Sequence, residues 1–244
     1  MTTAARRWEA ALAHVARLAK PHDDAHDVAV TLERVCMAAA ELAAASGAGM
    51  SVMADGGHRG FAAASDQASR QLEETQFTVG EGPCIDAFST GRPVLVPDLA
   101  QIHRRQWPAY AAAAQALGVR AVFAFPIQVG ASRLGVLDIF RDRPGAMTVE
   151  QEGQALTFAD VALMVLLDGQ QRAPTGDLPQ GLDQAPGFRA EIAQAQGMIM
   201  VQLGISITEA LVRLRAYAFG EGRLVSDVAR DVVARRIRFD EVNP

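Results

Sequence analysis

IAQAQGMIMVQLGISITEALVRLRAYAFGEGRLVSDVARDVV, residues 192–233, is the most regularly patterned stretch of the chain. Ile192, Ile199 and Leu203 recur at helical spacing; so do Ala210, Leu214 and Ala218, and then Val225, Val228 and Val232. Residues three, four and seven apart share one face of a helix, so each set is the buried stripe of a separate helix. The breaks between the sets carry stop and start chemistry. Gly204 suits the left-handed position that ends a helix. Ser206 and Glu209 stand three apart, as a capping box requires. Gly220 and Gly222 punctuate the next turn. The pattern predicts helices over 189–203, 207–219 and 224–238. A three-helix unit of that size is too small to house an enzyme, is marginally stable alone, and gains from docking or pairing.

Just upstream, RAPTGDLPQGLDQAPG (172–187) holds three prolines and three glycines without apolar periodicity, and reads as a linker. The charge balance changes at the same place. Residues 1–187 carry 15 basic against 21 acidic side chains, whereas 188–239 carry 8 arginines against 5 acids. A basic module on an acidic protein invites a phosphate-bearing partner.

Before the linker, Val28, Leu32, Val35, Ala39 and Leu42 predict a helix over 25–45. AGMSVMADGGHRGFAAAS reads as strand, turn, strand, with Gly56-Gly57 suited to a tight hairpin turn. RPVLVPDL is a short strand closed by Pro97. VRAVFAFPIQVGASRLGVLDIFR gives two strands, 119–129 and 133–141, joined near Gly130, with Pro126 marking a break or an edge position. Thr148 and Gln151 form a capping box for a helix over 148–168, whose apolar face includes Leu156, Phe158, Val161 and Val165. Hairpin-joined strands with helices between them describe an α+β domain, an antiparallel sheet with flanking helices, over 24–171. A helical extension over 1–23 precedes it, and the all-α three-helix bundle over 188–239 follows the linker.

Several function classes are disfavoured. No run of about 18 apolar residues is present, so no membrane span is expected. The N-terminus lacks a signal-peptide pattern, and a cytoplasmic location is expected. The two cysteines, Cys36 and Cys84, indicate no disulfide framework. His22 and His26 stand four apart beside Asp23 and Asp24 but lack a third ligand nearby, so no metal is expected. No nucleophile–base or paired-carboxylate constellation is evident, and an enzyme is not expected. VGEGPC places Gly80, Gly82 and Pro83 before a helix start, an arrangement that serves either as plain helix entry or as an anion-binding turn. Cys84 in that first helical turn is a candidate sensor thiol if exposed. Trp107, Tyr110, Phe123 and Phe125 are candidate lining for the pocket of an unknown small molecule, with core packing as the other reading for the phenylalanines. No cofactor is identified.

The C-terminal stretch resembles an ANTAR domain, through Ala195, Gly197, Met200, Gly204, Ser206, Glu209-Ala210, Leu214-Arg215, Ala218, Leu224 and Asp227-Val228-Ala229. The unit before it resembles a GAF domain, through GEGPCIDAFSTGRPVLVPDL, WPAYAAAAQALGVRAVFAFPI and RLGVLDIF. The resemblance implies a bacterial sensor–effector. The GAF unit would respond to a small-molecule effector, a redox state or a partner. The ANTAR unit, paired in a homodimer, would bind tandem hairpins in nascent transcripts and keep a terminator from forming. Gln196 stands where many ANTAR sequences carry Lys. RNA binding needs cations for phosphates and flat or hydrogen-bonding groups for bases. Gln194, Gln196, Gly197, Arg213, Arg215, Tyr217, Arg223 and Arg230 are the candidate RNA-binding residues, with Arg235 and Arg236 as further cations. A DNA-binding regulator with a sensor domain, or a protein-interaction and dimerisation module, are the alternatives.

Overall fold

The computed structural model describes residues 3–24, 26–54, 57–102, 106–174, 179–182 and 190–239. Gly56 of the expected hairpin turn, and 175–178 and 183–187 of the expected linker, lie outside the described residues. Five antiparallel strands form one sheet: β1 (Gly47–Ala54), β2 (Gly57–Ala64), β3 (Val94–Val96), β4 (Ala121–Val129) and β5 (Ser132–Arg141), in the order β2-β1-β5-β4-β3. Alternation along the strands divides their side chains between two faces. Ala48, Met50, Phe123, Phe125, Ile127, Leu137 and Ile139 face α2 (Val28–Leu42) and α6 (Val149–Arg172). Val122, Ala124, Val136 and Phe140 face the other way, toward α3 (Gln67–Val79), α4 (Pro83–Thr90) and α5 (Pro108–Ala116). This is the α+β architecture expected from the hairpin pattern. Pro126 lies within β4 and pairs with Val136, but β3 reaches only Val122–Ala124. Proline therefore sits where the neighbouring strand has already ended, which its missing N–H tolerates.

The helix ends follow local chemistry. Asp27 and Asp66 accept hydrogen bonds from the amides of Val30 and Ser69, capping α2 and α3. Thr148 and Gln151 form the expected capping box, but α6 runs on to Arg172. Its buried face is Ala155, Phe158, Ala159, Val161, Ala162 and Leu166, whereas Leu156, expected inside, is 46% exposed. The N-terminal helix α1 (Thr3–Arg17) is no loose extension: Ala11 and Val15 are buried in the core beside α2 and α6.

Within the proline-rich stretch read as a linker, Pro179–Leu182 is packed. Leu182 is buried in the core between the sheet, α2 and α6, and the carbonyl of Gln180 accepts from the amide of Val28 at 3.0 Å. The C-terminal bundle consists of α7 (Ala190–Leu203), α8 (Ile207–Gly220) and α9 (Val225–Val233). Ser206 and Glu209 cap α8 reciprocally, as expected. α9 stops five residues short of the expected end; the backbone turns there, with Arg235 in the left-handed region at φ 59°. The bundle core of Ile192, Ile199, Leu214, Val228 and Val232 takes in one side chain from the sheet-bearing unit, Phe77 of α3.

Candidate functional site

The candidate RNA-binding residues are distributed unevenly over the bundle. Gln194 and Gly197 on α7 line a shallow groove of about 600 Å³ with Val201, Val233, Arg235 and Arg238. Arg235 and Arg238 are exposed and take part in no ion pair among the described residues. Gln196 is half-buried and does not line that groove. Arg213 is exposed on α8. Tyr217 is half-buried and packs its ring on Phe239, with centroids 5.4 Å apart. Arg223 pairs with Asp231 at 2.6 Å, Arg236 pairs with the same carboxylate, and Arg230 pairs with Asp227. The bonds from Arg223 and Arg236 hold the Asp231 carboxyl below its ordinary pKa. The proximity of Arg235 and Arg238 to Gln194 is not legible in the sequence. It arises from the turn after α9, which the helical reading of 224–238 hides.

Arg215 is placed differently from an open phosphate contact. Its guanidinium lies over the ring of Phe77, 4.8 Å from the centroid, and Nε and Nη2 are buried without a hydrogen-bond partner among the described residues. Burial lowers its pKa from the ordinary guanidinium value to about 10. Helix α3 of the sheet-bearing unit thus covers one cation of the bundle.

Beside Phe77 on the buried side of α3, a polar cluster is sealed between helix and sheet. Glu73, Gln76, Ser51, Asp138 and Cys84 are all buried. Ser51 Oγ donates to Glu73 Oε2 at 2.6 Å, and Gln76 Nε2 donates to Asp138 Oδ2 at 2.7 Å. Gln76 Oε1 accepts from the Cys84 amide at 3.0 Å. Gly82 is required here: its φ is 140°, and a Cβ would lie 2.4 Å from Gln76 Oε1. VGEGPC is therefore a helix entry closed by the cluster, and its first free amide goes to Gln76 rather than to an anion. The exposure on which a sensor role for the Cys84 thiol depends is absent. The thiol is inaccessible, and burial, then the Asp138 and Glu73 carboxylates, push its pKa well above the ordinary thiol value.

The four aromatic pocket candidates do not converge. Tyr110 and Trp107 lie on the α3–α5 side, with the indole Nε1 donating to Asp86 at 3.1 Å. Phe123 and Phe125 point to the α2–α6 side and are core. Residues 121–127 are buried on both faces of β4, so the sequence carries no polar alternation to separate them.

A five-stranded antiparallel sheet packed between helices is joined to a small helical bundle that docks on α3. Residues 25–166 match the family model of the GAF domain, and 180–233 match that of the ANTAR domain. The chain belongs to the GAF domain family and carries an ANTAR domain behind it. GAF domains are signal-sensing units, and ANTAR domains are RNA-binding antitermination units. None of the curated proteins matches the chain. Among solved structures, the GAF domain of a phosphoenolpyruvate-protein phosphotransferase from Coxiella burnetii is 18% identical, with a TM-score of 0.50, covering 70% of this chain and 98% of that one. The GAF domain of the corresponding Acinetobacter protein is 11% identical, with a TM-score of 0.51, covering 70% and 97%. Free methionine-R-sulfoxide reductase from Neisseria meningitidis is 17% identical, with a TM-score of 0.49, covering 71% and 95%. At these identities the likeness shows the fold alone. Among the described residues, no single helix is long and apolar enough to cross a membrane.

Proposed function

We propose that the chain is a signal-responsive RNA-binding regulator whose ANTAR bundle binds tandem hairpins in nascent transcripts and promotes transcription past a terminator. The observation that carries this reading is the groove joining Gln194 and Gly197 to the exposed cations Arg235 and Arg238. Its cations suit phosphate oxygens, and its amide suits an exposed base edge. Arg213 adds an exposed cation on α8, while Arg223 and Arg230, already bonded to carboxylates, exchange partners only at a cost. Control by the sensor is supported by α3, which covers Arg215 through Phe77. Binding that uses Arg215 requires the two units to part, so an effector of the sensor acts by its differential affinity for the docked and parted states.

A homodimer is part of the same reading. Leu156, Met164 and Leu167 leave apolar surface on α6 for a second copy, being 46%, 43% and 38% exposed. The proposed compartment is the cytoplasm, where nascent transcripts are.

The test is binding of labelled tandem-hairpin RNA across a salt series, in competition with duplex DNA. Arg235→Ala with Arg238→Ala is expected to weaken binding about tenfold or more and to reduce the salt slope by about 1.4 for two lost phosphate contacts. Stronger competition by duplex DNA than by hairpin RNA would reject the RNA reading. No binding to either nucleic acid would favour a protein-interaction module.

A further inference from the structure

The sealed cluster between α3 and the sheet has the form of an ion site. One oxygen of each acid is already engaged from outside, Glu73 Oε2 by Ser51 and Asp138 Oδ2 by Gln76. The other oxygens, Glu73 Oε1 and Asp138 Oδ1, are buried without a hydrogen-bond partner among the described residues, as is the hydroxyl of Tyr110. Cys84 Sγ and an oxygen of each acid lie within 4.8 Å of one another. The groups acting on the two acids are one another, Ser51, Gln76 and Cys84; none is cationic. Buried carboxylates are ordinarily paired with a cation, coordinated to a metal or held by a proton. Gln76 also fixes the Cys84 amide, so a single outer residue orients two of the three donors. Outer hydrogen bonds of this kind align ligands around a metal.

We propose that Glu73, Cys84 and Asp138 form a binding site for a divalent transition-metal ion. The donor chemistry selects the class of ion. Calcium and magnesium require six or more oxygens and have no use for sulfur. A zinc-like ion takes thiolate at about 2.3 Å and carboxylate at about 2.0–2.2 Å, which at tetrahedral angles sets the donors roughly 3.3–3.7 Å apart. That spacing lies inside the 4.8 Å spread of the three donor atoms. The three residues come from α3, α4 and β5, so an ion here would clamp two helices to the sheet. Serving as the sensor's effector would rest on the regulatory reading above; binding of the ion does not.

Cobalt(II) is the probe, added to full-length protein after chelator treatment and without RNA. One equivalent per chain is expected to give visible ligand-field bands and a near-ultraviolet thiolate-to-cobalt band, both displaced by zinc. C84S is expected to remove the near-ultraviolet band, and E73Q to weaken binding about tenfold or more. C36S is expected to leave the spectrum intact, because Cys36 is equally buried but packs on the α2–α6 side. Circular dichroism establishes that each variant is folded, and zinc content of the untreated protein provides a readout that needs no variant. A cobalt spectrum without the thiolate band, or one unchanged in C84S, overturns the proposal. Absence of both cobalt binding and zinc leaves a proton shared between the two carboxyls as the cluster's occupant and overturns it equally.

Discussion

Replacing Phe77 by Ala probes the coupling of the two units directly. The guanidinium of Arg215 lies 4.8 Å from the Phe77 ring centroid, and its pKa falls from the ordinary guanidinium value to about 10 on burial. At about 1.36 kcal/mol for each tenfold change, that fall corresponds to roughly 3 kcal/mol of lost hydration of the charge. The aromatic face returns about 1–2 kcal/mol of it. The docked state therefore holds Arg215 at a net cost of about 1–2 kcal/mol, offset by apolar burial that includes Phe77 itself, which is 5% exposed. Truncating a buried Phe to Ala removes about 3–5 kcal/mol, here from the contact between the units. Phe77→Ala is thus expected to part them and free Arg215 for phosphate. Affinity for tandem-hairpin RNA should rise roughly tenfold, equivalent to about 1.4 kcal/mol. The slope of log K against log salt should steepen by about 0.7, one phosphate contact. Fluorescence anisotropy over a salt series reads both quantities. Arg215→Ala in the Phe77→Ala background should abolish the gain. An unchanged affinity and slope in a variant whose melting curve shows an intact bundle would refute the masking argument.

Local geometry sets four other outcomes. Neither Cys36 nor Cys84 should react with a thiol reagent until the protein is denatured, since both are fully buried; rapid labelling of native protein would contradict the packing of α4. Gly82→Ala places a Cβ against Gln76 at a φ of 140° and should cost more than about 1 kcal/mol in urea unfolding. Burial acts to raise the Asp66 pKa, but hydrogen bonds from Ser65 and Ser69 outweigh it and hold the carboxyl below its ordinary value. Its stabilising effect is therefore complete above about pH 4 and is lost as pH falls through the lowered folded-state pKa; Asp66→Asn should flatten that part of the acid unfolding profile. Leu156→Glu with Leu167→Glu should convert the proposed dimer to a monomer in light scattering.

The helical spacing of the C-terminal stretch, its capping box at Ser206 and its glycine stops are sufficient to place three helices. The hairpin pattern is sufficient for an antiparallel α+β unit. These features are local: one face periodicity or one cap decides each of them. α9 ends earlier than its spacing predicts, and the sequence does not show it because no stop signal stands there. Ala234 and Arg235 are ordinary helix formers, and neither is the glycine or asparagine that marks a left-handed turn in a sequence. The left-handed backbone at Arg235 is visible only in the folded chain.

The set of elements and their order, the division into two units and the basic character of the second are all written along the chain. Those properties depend on neighbours within a few residues of one another. Which side chains share a site is settled instead by packing in three dimensions. Glu73, Cys84 and Asp138 come from three different elements and meet because α3 and α4 pack on one face of the sheet. Phe123 and Phe125 part from Tyr110 because strand alternation turns them to the other face. Arg215 is a solvent-facing cation by local pattern. It is covered nonetheless, because the ring that lies over it belongs to a helix more than a hundred residues away in sequence. Burial and pairing are properties of the assembled packing, and they govern what each of these charged or polar groups can do.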